Sequence, residues 1–170
     1  MPVAESVAIP GEIPQISNAS TNPLMSVLPA DEGKDFLFRT CPSDALQGVI
    51  LGKLAADEGY KNAAVFWINN PYGEGLMERF KESFEFRGGK LVASVPHDEK
   101  SAPTYVSELK QVMKAKPDVM VALAYPGQAT VYLKEFFEAR YNENTDLLFV
   151  DGTKSIEMPQ ALGADNLAGF

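Results

Sequence analysis

From residue 35 onward, short apolar runs alternate with segments whose apolar residues recur every three or four positions. That rhythm leaves few folds open, because each run reads as a strand and each spaced segment as a helix that covers it. Asp35–Thr40 opens the series as a short strand. Ser43 or Asp44 then caps a helix in which Leu46, Val49, Ile50 and Leu54 form one apolar stripe, and Gly59 stops it. Ala63–Asn69 is an almost unbroken apolar run, as expected of a strand covered on both faces. A helix over about residues 73–87 follows, with Leu76, Met77, Phe80 and Phe84 on one side, then a strand at Lys90–Val95. Pro103 and Thr104 open a helix carrying Val106, Leu109, Val112 and Met113, which closes before Pro117. Val119–Ala124 is another buried strand. A helix over about residues 128–141 carries Leu133, Phe136 and Phe137, and Leu147–Val150 is the next strand. Met158–Leu162 reads as a short helix and Leu167–Phe170 as the start of a further strand.

With right-handed crossovers this is an α/β chain, a Rossmann-like doubly wound parallel sheet with helices on both faces. Residues 1–34 break the pattern with five prolines and one short apolar stretch, Pro14–Ser17. A helix over Val3–Ala8, a strand near Gln15–Ser17 and a loop are expected there, with too little apolar material for a core. The opening Met1-Pro2-Val3-Ala4-Glu5 reads as a chain entered mid-helix, so a piece of a larger, exported protein is expected.

Composition narrows the function. Fifteen Lys and Arg against 23 Asp and Glu give a net charge of −8, which disfavours nucleic acid, since phosphate neutralisation needs clustered basic residues. The longest apolar run, Val119–Tyr125, is far short of a membrane span. Cys41 is the only cysteine and His97 the only histidine, so an intramolecular disulfide and a multi-cysteine metal site are excluded. His97-Asp98-Glu99 reads as a solvated loop and Cys41 as a small buried residue. Gly73-x-Gly75 lacks the third small residue of a dinucleotide loop, because Glu78 stands there, and no Gly-Lys-Ser/Thr or Gly-x-Ser-x-Gly occurs. No enzyme activity and no cofactor is expected.

In a doubly wound sheet, ligands bind beyond the carboxyl ends of the strands, where the strand order reverses. For strand order 2-1-3-4-5, counted from Ala63–Asn69, the reversal lies between that strand and Val119–Ala124. The loops concerned are Asn69–Gly73, Tyr125–Gln128 and, after the next strand, Asp151–Lys154. Two tyrosines facing one cleft suit a small polar or zwitterionic ligand.

Ile16-Ser17-Asn18-Ala19-Ser20-Thr21-Asn22-Pro23, Phe38-Arg39-Thr40, Ser43-Asp44, Gln47-Gly48, Tyr72-Gly73-Glu74-Gly75 and Tyr125-Pro126 follow in an order that resembles the periplasmic leucine/isoleucine/valine-binding proteins. These are type I solute-binding proteins of ABC transporters. The resemblance implies two Rossmann-like lobes that close on a ligand, residues 1–43 being the remnant of the first lobe plus a hinge. Residues 44–170 would be the second lobe, ending about where the family's chain returns to the first. Ala19, Ser20 and Thr21 would hold the ligand carboxylate, Thr21 through its hydroxyl and Ala19 through its backbone, while Tyr72 and Tyr125 close over the ligand. The family's acidic partner for the ammonium falls at Thr153, a departure that leaves Thr153 or the nearby Asp151 in that place. Arg39 is a candidate partner for Asp44 across the hinge. Also implied are a membrane permease as partner, a periplasmic or extracellular location, weak ligand binding by the chain alone, and dimerisation through exposed lobe surface. Relatives that bind amides, urea or aromatic acids, and sensory domains of the same fold, are the alternatives.

Overall fold

The computed structural model describes residues 2–167. One parallel sheet is a pair, β1 (Gln15–Ser17) and β2 (Leu37–Arg39). The other has four parallel strands, β3 (Asn62–Ile68), β4 (Lys90–His97), β5 (Val119–Leu123) and β6 (Asp146–Phe149), in the order β4-β3-β5-β6. Helices α1 (Asp44–Asp57), α2 (Pro71–Phe86), α3 (Val106–Lys114), α4 (Pro126–Glu138) and α5 (Glu157–Leu162) flank it. Counted from β3, this is the expected 2-1-3-4, and the order reverses between β3 and β5, where Val65 pairs with Val121. Asp35–Thr40 does not open that sheet; it supplies β2 of the separate pair. Leu167 ends a 3-10 turn that begins at Ala164, and the rest of the strand expected at Leu167–Phe170 lies outside the described residues.

Side chains of β3 alternate between two cores, as a strand covered on both faces requires. Ala63 and Val65 join Leu51 and Ala55 of α1 and Leu76, Phe80 and Phe84 of α2. Ala64 and Phe66 join Tyr105, Leu109 and Val112 at α3 and Tyr132, Leu133 and Phe136 of α4. The stripe expected on α1 turns outward instead: Leu46, Val49, Ile50 and Leu54 are 40–62% exposed. Helix α1 meets α2 through Gly48, Leu51, Gly52 and Ala55, in a contact so close that a methyl group at Gly52 would stand 2.7 Å from Ser83 Cβ. Small residues, rather than the most apolar ones, decide which face is buried.

Strand β4 runs two residues past Val95. His97 is therefore not in a solvated loop but in the core, with its ring 4.8 Å from Phe66, 5.5 Å from Tyr105 and 5.8 Å from Tyr132. Burial lowers its pKa, because an imidazolium there loses hydration. A lowered folded value means that the unfolded chain binds the proton more tightly. Stability should thus be full above about pH 6.5 and decline below it, by at most about 1.4 kcal/mol per pH unit. Urea unfolding at about pH 7.5 and about pH 5.5 should show the decline, and His97→Gln should flatten it. Equal slopes in the two proteins would remove His97 as the cause.

Residues 2–43 are more ordered than their composition suggests. Ala4–Ala8 forms a π-helical turn, and Ala4, Ile9 and Leu28 make a small core with Ala30, Phe36 and Leu37 against it. Arg39 does not form an ion pair with Asp44. Its guanidinium donates to the carbonyls of Thr21 (3.2 Å) and Asn22 (3.0 Å) and to Ser26 Oγ (2.5 Å), tying the loop after β1 to β2. Cys41 is half-buried, its Sγ 3.5 Å from the Ser20 carbonyl.

Candidate functional site

Strands β3, β5 and β6 end side by side, and each is followed at once by a turn. Pro71 and Pro126 take the first positions of α2 and α4, where a missing N–H leaves no bond unmade and the ring presets a helical φ. The chain passes from strand to helix within two or three residues and delivers Tyr72 and Tyr125 above adjacent strands. Their rings stack, with centroids 5.5 Å apart and planes 12° from parallel. Beyond β6 a 3-10 turn, Asp151–Thr153, brings up a carboxylate. Asp151 Oδ1 accepts from Gln47 Nε2 (2.8 Å), from its neighbour's amide at Gly152 (2.8 Å) and from Tyr72 Oη (3.4 Å). The tyrosine lies so near the backbone here that a methyl group at residue 152 would stand 2.6 Å from its oxygen. Burial, and then the charges of Asp151 and Asp44, raise the Tyr72 pKa, so the phenol keeps its proton.

Ala19, Ser20, Thr21, Tyr72, Tyr125 and Asp151 line one cavity of about 420 Å³, together with Asn22, Met25, Asn70, Pro71, Glu99 and Gly152. Thr153 is not among them. It is buried, and its hydroxyl donates to the Val150 carbonyl at 2.7 Å, because the 3-10 turn points residue 153 inward. The turn presents Asp151 instead. The amides of Ala19 and Ser20 donate to Ser17 Oγ (3.4 and 3.0 Å), which occupies two backbone donors of that loop. Asn70 Nδ2 donates to Glu99 Oε1 at 3.0 Å across the far rim. Asp151 and Glu99 are the charged residues of the lining, and no Lys or Arg contributes to it.

Asp44, read from sequence as one of two candidate helix caps and as a candidate partner of Arg39, is a further carboxylate beside this cleft. Ser43 takes the capping role, its Oγ accepting from the Ala45 amide at 3.3 Å. That leaves Asp44 buried at 3% exposure with Oδ2 unpartnered. Desolvation raises its pKa, opposed by a hydrogen bond from Thr21, while the charge of Asp151 raises it further and that of Arg39 lowers it. The pair Ser43-Asp44 was the available signal: two capping residues in a row, only one of which can cap.

A larger depression of about 730 Å³ runs along β6 and includes Leu54, Tyr60, Leu148 and Met158. Tyr60 donates to Asp146 there at 2.9 Å, and burial, with that bond, pushes its pKa up to about 12. This depression follows the edge strand β6 to the outer side of the turn beyond it, at Thr153 and Lys154, and shares no lining residue with the cleft. Among the described residues, no three His, Cys, Asp or Glu side chains gather as a metal site, and no helix is long and apolar enough to cross a membrane.

Residues 4–162 match the family described as the receptor family ligand binding region. The chain is 24% identical over 129 residues to the chemotactic signal transduction system substrate-binding protein BasB of Halobacterium salinarum, a match covering 74% of this chain and 30% of that protein. It superposes on a leucine binding protein from Thermotoga maritima with a TM-score of 0.72 at 25% identity, over 95% of this chain and 43% of that one. A solute binding protein of an ABC transporter from Rhodopseudomonas palustris, in complex with 3,4-dihydroxybenzoic acid, also matches with a TM-score of 0.72. Its identity is 24%, over 88% of this chain and 40% of that one. The chain thus spans less than half the length of each of these proteins.

Proposed function

We propose, starting from the premise that this chain belongs to the receptor family ligand binding region and has the type I periplasmic binding protein fold, that it is part of a solute-binding protein for a branched-chain amino acid or a similar small zwitterion. In this reading residues 1–43 belong to a first lobe with its hinge and residues 44–170 to a second. A ligand that bridges them shifts the open–closed equilibrium by its differential affinity for the closed form. The ligand ammonium lies at Asp151, with Asp44 behind it and the faces of Tyr72 and Tyr125 beside it. Aromatic faces attract such a cation by about 0.5–2 kcal/mol. The carboxylate points to Ala19, Ser20 and Thr21, where it takes the amides of Ala19 and Ser20 from Ser17 Oγ and competes with Asp44 for Thr21. The loaded protein delivers its solute, from the periplasm or the outer face of the cell, to the membrane permease of an ABC transporter.

The charge of the lining carries this reading. Asp151 and Glu99 face the cavity and no cation does. A bare aromatic carboxylate, such as that bound by the R. palustris neighbour, would add a negative charge to a negative cleft. An ammonium compensates it. A sensory role, favoured by the likeness to a chemotactic substrate-binding protein, uses the same binding step and differs in the membrane partner. Heteronuclear NMR titration of the chain with millimolar L-leucine and with benzoate tests the choice, since it reads weak binding residue by residue. Saturable shifts at the amides of Tyr72, Tyr125 and Gly152 are expected with leucine and not with benzoate. Larger shifts there with benzoate, or leucine shifts confined to β6 and Met158, would overturn it.

A further inference from the structure

We propose that Asn22 is a clasp between the loop that follows β1 and the first turn of α2, and that it sets the position of Tyr72 in the cleft. The inference rests on the reading that the segments before and after residue 43 move as two lobes. Asn22 lies in a loop yet is 8% exposed, and both ends of its side-chain amide are engaged. Oδ1 accepts from the Leu24 amide at 2.8 Å, while Nδ2 donates to the carbonyl of Pro71. Its backbone carbonyl accepts from Arg39 at 3.0 Å, which anchors the loop to β2. Pro71 is the first residue of α2 and the immediate neighbour of Tyr72.

A second observation places the same two pieces in direct contact one turn along the helix. A methyl group at Gly75 would stand 2.9 Å from Asn22 Nδ2 and 3.0 Å from Pro23 Cδ. Glycine is a poor residue inside a helix, and here its missing side chain is what lets the loop rest on the helix backbone. Asn22 therefore forms part of the cavity wall and, on its other side, of the crevice between the loop and α2. Opening of the cleft breaks the bond to Pro71 and frees the turn that carries Tyr72; closure re-forms it. Apparent affinity drops whenever the fraction of molecules with the clasp made becomes smaller.

Pulsed electron paramagnetic resonance on the chain, with no ligand added, tests this. Cys41→Ser removes the native thiol, and Val27→Cys and Phe86→Cys place spin labels at positions 69% and 88% exposed, one on each side of the clasp. Asn22→Asp keeps the oxygen that caps Leu24 but loses the donor to Pro71. Gly75→Ala keeps the helix but pushes the loop away. One narrow distance distribution is expected in the parent, and in each variant a longer-distance population holding the majority, with hydrogen exchange in β3 and β5 unchanged. An unchanged distribution in either variant overturns the clasp. So does a longer distance accompanied by faster exchange in β3 and β5, since the substitution would then have unfolded the sheet. Because no ligand enters the experiment, its failure leaves the amino-acid reading standing, and failure of leucine to bind leaves the clasp standing.

Discussion

Replacing Phe66 with Ala is expected to cost the chain about 3–5 kcal/mol of stability, roughly a fifth or more of what a domain of this kind possesses. Phe66 lies mid-strand on β3, wholly buried. Its ring meets His97 at 4.8 Å, Tyr132 at 4.9 Å and Tyr105 at 6.1 Å, so three rings from β4, α4 and the residue that precedes α3 converge on it. Its neighbours across the sheet are Val95 on β4 and Ala122 on β5, too small to fill the space it would leave. The strand is pinned by pairing on both sides, so the backbone cannot collapse into the cavity either. Urea unfolding followed by circular dichroism reads the loss directly. A loss under about 1 kcal/mol would show that the aromatic cluster is not packed as described.

Asp151→Asn is expected to weaken binding of L-leucine by about 1.5–3 kcal/mol, roughly 10- to 100-fold, while leaving urea stability within about 0.5 kcal/mol. Asparagine preserves the oxygen that accepts from Gln47, Gly152 and Tyr72, so the turn and the ring should stay where they are. What disappears is the charge proposed to face the ligand ammonium. Glu99 stands across the cavity beside Asn70, and Glu99→Gln should have the smaller effect because that carboxylate lies at the rim. The same affinities in wild type and Asp151→Asn would remove the ammonium from this place.

Much of the architecture could be read from apolar runs. Ala63–Asn69 and Val119–Ala124 announce central strands because they are apolar on both faces, and central strands fix the point where the order reverses. The buried face of helix α1 was not legible in the same way. Its burial follows backbone proximity at Gly48 and Gly52, and an apolar stripe carries no information about how close a neighbouring helix comes. Tyr105, Tyr132 and His97 are core residues whose polar atoms disguise them; Tyr132 Oη and His97 Nε2 are buried without a partner. At the cleft, strand–turn–helix grammar placed Tyr72 and Tyr125 together in advance. Choosing Asp151 over Thr153 required the 3-10 turn itself, because one residue of difference in such a turn exchanges cavity for core. Asp44 stayed hidden behind a capping role that Ser43 performs.

In the proposed site, Tyr72, Tyr125 and Asp151 form one wall around a small zwitterion. The most direct test is a crystal structure of the chain grown with saturating L-leucine. Leucine density is expected against the stacked tyrosines, with its ammonium within hydrogen-bonding distance of Asp151. Density for leucine along β6 beside Met158 and Tyr60, with the tyrosine cleft holding only water, would contradict it.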